Sequence, residues 1–244
     1  MSFRIGAFIT TPSTLVLPLA LAFFWVISAQ RLYPGVARTR FHTYASLAAA
    51  ILSGALGAWA YGTWTSPHAA DPLHAWLDLR FGSFGGYWGA LAGALAYATL
   101  TRHPRLRYAD ALVPGILAGG SVARIGCLFT GCCRGIAAGI GVFQPFRPWP
   151  LYDIAALLVT WGAIRFIQHK DSQWQEPGGA LCLFLLIYGV LRFSLEFLRD
   201  LPSVAGPFTA GHLMAAAQVL AGAALFVVLF ARGNAETSHG GATK

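Results

Sequence analysis

Apolar runs long enough to cross a bilayer recur along this chain, with short polar stretches between them. Seven such runs, over about residues 14–29, 44–64, 82–100, 109–129, 151–167, 179–198 and 209–231, each predict a transmembrane helix. About 20 apolar residues rising 1.5 Å apiece span a hydrocarbon core. The third run carries two rows of small residues at four-residue spacing: Gly85, Gly89 and Gly93, and Gly82, Gly86, Ala90 and Ala94. Residues four apart share a helix face, so the rows predict close approach of a neighbouring backbone or lipid. A Gly- and Pro-rich stretch over 130–150 predicts a broken segment after the fourth span. The pattern therefore predicts an all-α integral membrane protein of seven transmembrane helices, with residues 1–232 as one domain. Residues 233–244 read as a polar tail, disordered by composition.

Composition agrees. Of 244 residues, 56% are hydrophobic and 11% are charged, and mean hydropathy is +0.58; a soluble domain carries about 25% charged residues. The net charge of +8 sits in short loops between apolar runs, where it reports topology and not nucleic-acid binding. Ten basic residues (Arg31, Arg38, Arg40, Arg102, Arg105, Arg107, Arg165, Lys170, Arg232 and Lys244) fall on one side. Five (Arg4, Arg80, Arg134, Arg147 and Arg199) fall on the other, and Arg124 and Arg192 lie inside spans. By the positive-inside rule the N-terminus is outside and the C-terminus, with its tail, is cytoplasmic. The end of the fourth span then lies near the outer face.

An ionisable residue at membrane depth is a functional-site hypothesis by default. Arg124 closes the fourth run within Ser121–Gly135, SVARIGCLFTGCCRG, beside Cys127, Cys132 and Cys133. In the sixth run, Tyr188, Arg192, Glu196 and Arg199 stand at i, i+4, i+8 and i+11, one polar stripe on an apolar helix. A local Arg192–Glu196 pair would neutralise itself, but Arg199 shares that face without a carboxylate four residues away. Arg124 and Arg192 both occupy outward-facing halves of their spans, where they can meet. Two guanidiniums in a low-dielectric pocket call for an anion, and the planar fork of arginine suits a lipid phosphate.

These stretches resemble the prolipoprotein diacylglyceryl transferase family, whose members move diacylglycerol from phosphatidylglycerol onto the lipobox cysteine of prolipoproteins. ARIGCLFTGCCRG (Ala123–Gly135) is similar to the family signature and points to Arg124, Gly126 and Gly135. YGVLRFSLEFLR (Tyr188–Arg199) points to Tyr188, Arg192, Glu196 and Arg199. RPWPLYD (Arg147–Asp153) resembles the segment opening the fifth span and brings in Tyr152; GGYWGALAG (Gly85–Gly93) resembles a histidine–glycine–glycine stretch and brings in Trp88 and Gly89. The resemblance implies a multi-pass protein of the bacterial cytoplasmic (inner) membrane that binds phosphatidylglycerol and prolipoprotein peptides and needs no cofactor. It implies a thiolate attacking the glycerol carbon that bears the phosphate ester, with glycerol phosphate leaving. Arg124 and Arg192 then hold the phosphodiester and the departing charge, and Glu196 orients Arg192.

The chain also departs from that pattern. Trp88 stands where many members have a histidine, and Cys127 and Cys132 stand where they have asparagine and glutamate. The base is therefore unassigned; His212, the only histidine inside a span, is one candidate, and a hydrogen-bonded interfacial residue is the alternative. The cysteines admit a structural bridge from Cys127 to Cys132 or Cys133, buried thiols, or a thiol-based role; no histidine lies near enough in sequence to complete a metal site with them. Three competing functions follow. One is a related lipid transferase with a different acceptor; another is a phospholipid-binding or transport protein that keeps the arginines without the base; the last is a membrane thiol oxidoreductase.

Overall fold

A computed structural model of the chain describes residues 3–5, 8–10, 12–33, 35–37, 39–65, 82–130, 135, 149–199 and 201–240. After a hairpin of β1 (Phe3–Ile5) and β2 (Phe8–Thr10), helices follow where the apolar runs place them. They are α1 (Pro12–Leu32), α2 (Arg40–Trp64), α3 (Ser83–Leu100), α4 (Arg105–Thr130) and α5 (Trp149–Lys170). A 3₁₀ turn (Ser172–Gln175) leads to α6 (Gly179–Glu196), in which Phe184–Tyr188 forms a π turn. A second hairpin, β3 (Ser203–Ala205) with β4 (Phe208–Thr209), precedes α7 (Ala210–Gly240). The two hairpins qualify the all-α expectation.

Among the described residues, α2, α4, α5, α6 and the Ala210–Leu229 part of α7 are long and apolar enough to cross a membrane. In α1 the described apolar stretch, Val16–Leu32, is shorter. α3 has the length, but its glycines dilute its hydropathy. Large apolar side chains lie exposed on the outer faces, among them Leu52, Leu56, Val159, Phe166, Leu220 and Val227. A water-soluble monomer rarely shows so much, whereas lipid favours it.

Packing follows the small residues. α3 lies along α2 and α1 along α4, while α4 packs on α5 and α7 on the second half of α6. The row Gly85, Gly89 and Gly93 faces α2 as its spacing predicts: a Cβ at Gly89 would collide with the Ser53 carbonyl, and one at Gly93 with Ser53 Oγ. Hydrogen there lets the two backbones approach closely, a contact worth more in lipid than side-chain bulk. At the other end of the bundle Asp110 of α4 accepts from Gly178 N (2.6 Å) and Leu181 N (2.8 Å). This carboxylate satisfies N–H groups that the first turn of α6 leaves without helical partners.

α7 continues as helix through Gly240. Nothing from Arg232 to Gly240 is proline, and adding a residue to an existing helix costs far less than starting one. Residues 241–244 and the segment 136–148 lie outside the described residues.

Candidate active site

Three helix ends converge on one indole. Trp149, the first residue of α5, is fully buried and donates its Nε1–H to the Leu195 carbonyl at 3.0 Å. Around its ring stand three guanidinium groups, with Cζ of Arg124, Arg192 and Arg199 at 5.0, 4.6 and 4.5 Å from the centroid. All three are inside the roughly 6 Å range over which an aromatic face attracts a cation. Arg192 also lies over the Phe84 ring, at 4.7 Å.

Like charges this close need counter-charges, and two buried carboxylates supply them. Asp153 is four residues beyond Trp149 and so shares its face of α5. Its Oδ2 pairs with Arg124 Nε at 2.5 Å, and its Oδ1 lies 3.9 Å from Arg192 Nε. Oδ1 also accepts from the Tyr188 hydroxyl at 3.1 Å. Glu196 pairs through Oε2 with Arg192 Nη1, one turn back on α6, and lies 3.6 Å from Arg199 Nη1. Arg124 Nη2 donates to Ser83 Oγ at 2.6 Å, tying the cluster to the start of α3.

The account does not close on protein groups alone. Among the described residues the cluster holds three guanidiniums and two carboxylates. Arg192 Nη2 and Arg199 Nε are buried with no hydrogen-bond acceptor among those residues. Leaving a buried donor unmet costs about 1–3 kcal/mol, more when it is charged, and an anionic oxygen would remove that cost. Arg199, whose side chain is 18% exposed against 1% for Arg192, marks the open side.

A second layer positions Glu196. Thr209 Oγ1 donates to Glu196 Oε1 at 2.9 Å, and Thr209 N donates to His212 Nδ1 at 3.1 Å. His212 is buried among the rings of Phe193, Phe197 and Phe208. Gly211 is required by contact: a Cβ there would overlap the Glu196 carboxylate.

Of the residues expected from sequence, Arg124, Arg192, Glu196, Tyr188 and Arg199 come together here. Gly135 forms an isolated antiparallel bridge with Arg199, which draws the end of the Ser121–Gly135 motif to the same place. Cys127 Sγ accepts from Arg124 Nη1 at 3.9 Å. Gly126 faces Val16 of α1, and Gly89 belongs to the α2–α3 seam. Trp88 packs against the core beside Leu181 and Phe184. Tyr152 is 40% exposed. The next residue, about 100° further round the helix, is Asp153, and it makes the contacts. Cys132 and Cys133, and with them the choice among a bridge, buried thiols and a thiol-based role, lie outside the described residues. Sequence reasoning missed Trp149, Asp153, Ser83 and Thr209. The available signal was an aspartate within an apolar run, one turn from a tryptophan.

These helices form a multi-pass membrane protein with a buried, cation-rich cluster at one end of its bundle. The chain belongs to the prolipoprotein diacylglyceryl transferase family, whose model matches residues 3–228. It is similar to phosphatidylglycerol–prolipoprotein diacylglyceryl transferase 2 of Clostridium perfringens, 30% identical over 141 residues, 51% of this chain and 55% of that protein. It is also similar to the phosphatidylglycerol–prolipoprotein diacylglyceryl transferases of Dehalococcoides mccartyi (strain ATCC BAA-2266 / KCTC 15142 / 195), 32% over 131 residues and 48% of each chain, and Aeromonas hydrophila, 29% over 180 residues, 67% of this chain and 64% of that protein. The chain spans about half the length of the first two.

Proposed function

We propose that the chain transfers diacylglycerol from phosphatidylglycerol to the cysteine thiol of a prolipoprotein, releasing glycerol phosphate. The observation that carries this reading is the set of three guanidiniums around Trp149, held by only two carboxylates among the described residues and retaining two buried donors without acceptors. A phosphodiester supplies the missing negative charge and the missing oxygens.

In this reading Arg124 and Arg192 grip the phosphate, and Arg199 stands at the entrance. The acceptor sulfur attacks the glycerol carbon; the new C–S bond forms as the C–O bond to phosphate breaks. The electron pair leaves on the phosphate oxygen. Guanidiniums fixed beforehand in a dry site stabilise that growing charge more than water could. The departing phosphate takes up the thiol proton, so no histidine at position 88 is needed. Glu196, set by Thr209 and Gly211, aims Arg192, and Asp153 aims Arg124. Tyr188 steadies Asp153.

We further propose that α1 and α3 also cross the membrane, completing seven spans. The excess of basic residues at the end carrying Arg31, Arg102, Arg105, Arg107 and Arg165 supports a cytoplasmic location for that end and an outward-facing site. That orientation suits a bacterial inner-membrane enzyme acting on exported chains.

Purified protein, phosphatidylglycerol and a lipobox peptide provide the test. Glycerol phosphate should appear with wild type and vanish with Arg124→Ala and Arg192→Ala, while Cys127→Ser retains turnover. Retained lipid binding with no release under any acceptor would replace this reading with a phospholipid-binding protein. Loss on Cys127→Ser with active arginine variants would replace it with thiol chemistry.

A further inference from the structure

A second cationic recess lies at the opposite end of the bundle. Its volume is about 490 Å³, inside the roughly 300–1,000 Å³ range of ligand sites. Arg31 at the end of α1, Arg107 at the start of α4 and Arg165 near the end of α5 line it. Arg107 and Arg124 are 17 residues apart on one helix, and 1.5 Å per residue separates them by about 25 Å. A bilayer core is about 30 Å thick, so the recess faces the other leaflet from the site around Trp149.

Three guanidiniums from three helices share this recess, and among the described residues none lies within ion-pair distance of a carboxylate. Two acidic residues also line it. Asp110 is committed, because its two oxygens accept the Gly178 and Leu181 N–H groups. Glu176 sits exposed at the mouth. Deeper in, the lining turns apolar: Val113 and Leu117 of α4 and Ile164 of α5. Charge at the mouth and hydrocarbon below match a molecule with an anionic head and an acyl body.

From this arrangement we infer a binding site for the phosphate of an anionic phospholipid, drawn from the leaflet opposite the one that serves the site around Trp149. Arginine forks suit phosphate oxygens, and a lipid held between α1, α4 and α5 joins three helices that otherwise present like charges to one another. Its occupancy is independent of turnover at the other end.

Native mass spectrometry tests it on the full-length protein taken from nanodiscs of phosphatidylglycerol and phosphatidylcholine. The double variant Arg107→Gln/Arg165→Gln should retain one fewer phosphatidylglycerol per protein than wild type, while Arg107→Lys/Arg165→Lys retains the wild-type number. Both variants should bind lipid normally at the Arg124 site, so failure of the transferase reading leaves this measurement intact. In detergent, phosphatidylglycerol should raise the melting temperature of wild type more than that of the Gln variant, and phosphatidylcholine should raise both equally. Equal lipid counts in wild type and the Gln variant would overturn the site. Inorganic phosphate reproducing the whole shift in melting temperature would overturn its assignment to a lipid. Should the Gln pair fail to fold, the single variant Arg165→Gln, altered at an exposed position, serves for the same count.

Discussion

Replacing Asp153 by asparagine separates charge from shape at the heart of the cluster. Asparagine keeps the volume and can still accept the Tyr188 hydroxyl at Oδ1, so no cavity opens and that bond survives. What disappears is the negative charge facing Arg124 at 2.5 Å and Arg192 at 3.9 Å. Opposite charges 4 Å apart attract by about 4 kcal/mol at an effective dielectric near 20. Removing one member of a buried pair costs about 3–5 kcal/mol, since the remaining charge stays desolvated. Among the described residues, three guanidiniums would then face the carboxylate of Glu196 alone. Unfolding of Asp153→Asn in mixed micelles should show a loss of about 3–5 kcal/mol. Phosphatidylglycerol at about 100 times its dissociation constant should return about 2.7 kcal/mol, because its phosphate replaces the missing anion. Release of glycerol phosphate should fall by about 100-fold, the effect of an Arg124 displaced by about an ångström. A variant within about 0.5 kcal/mol of wild type, the range of an inert surface change, would refute the claim that Asp153 holds these arginines together.

Three further outcomes follow from other contacts. Gly211→Ala should lower turnover through displacement of Glu196, and the weakened Arg192 pair should lower the melting temperature even though alanine is the better helix former; full activity would show that Glu196 does not aim Arg192. Trp149→Phe keeps an aromatic face but loses the bond to the Leu195 carbonyl, an expected loss of about 0.5–1.5 kcal/mol. Trp149→Leu also removes three cation–π contacts, each worth about 0.5–2 kcal/mol, so its melting temperature should lie clearly below that of the Phe variant. Gly89→Ala should destabilise by about 1–3 kcal/mol through overpacking of the α2–α3 seam, whereas Gly162→Ala, with nothing within 4 Å of the added carbon, should be neutral or better.

The spans were legible because lipid imposes one rule on every residue that meets it, and α2, α4, α5, α6 and the Ala210–Leu229 part of α7 obey it. The stripe on α6 was legible because charge in such a run is costly enough to demand a reason. Trp149 and Asp153 were harder to see. They open a helix after a Gly- and Pro-rich stretch, and their meaning depends on neighbours from α3, α4 and α6, contacts between residues far apart in sequence. Tyr152 and Asp153 illustrate the limit: adjacent residues on a helix face different surroundings, and only the position of α4 decides which one matters. The short hairpin before α7 was missed for a related reason. Its few residues carry no periodicity of their own, yet they deliver Thr209 to Glu196.

The π turn at Phe184–Tyr188 gives α6 one residue more than its rise alone requires. Its parts are held by different partners: Asp110 pins the first turn, Asp153 accepts from Tyr188 at the end of the π turn, and Trp149 donates to Leu195 in the last turn. In an unbroken α-helix the azimuth of Arg192 would be dictated by the anchorage of Gly178, about 100° for every residue between them. The extra residue acts as a phase shifter. It lets the anchored end and the arginine stripe each meet its own neighbour, and winding the turn into regular α-helix at unchanged length would rotate Arg192 and Glu196 by about 100° away from theirs.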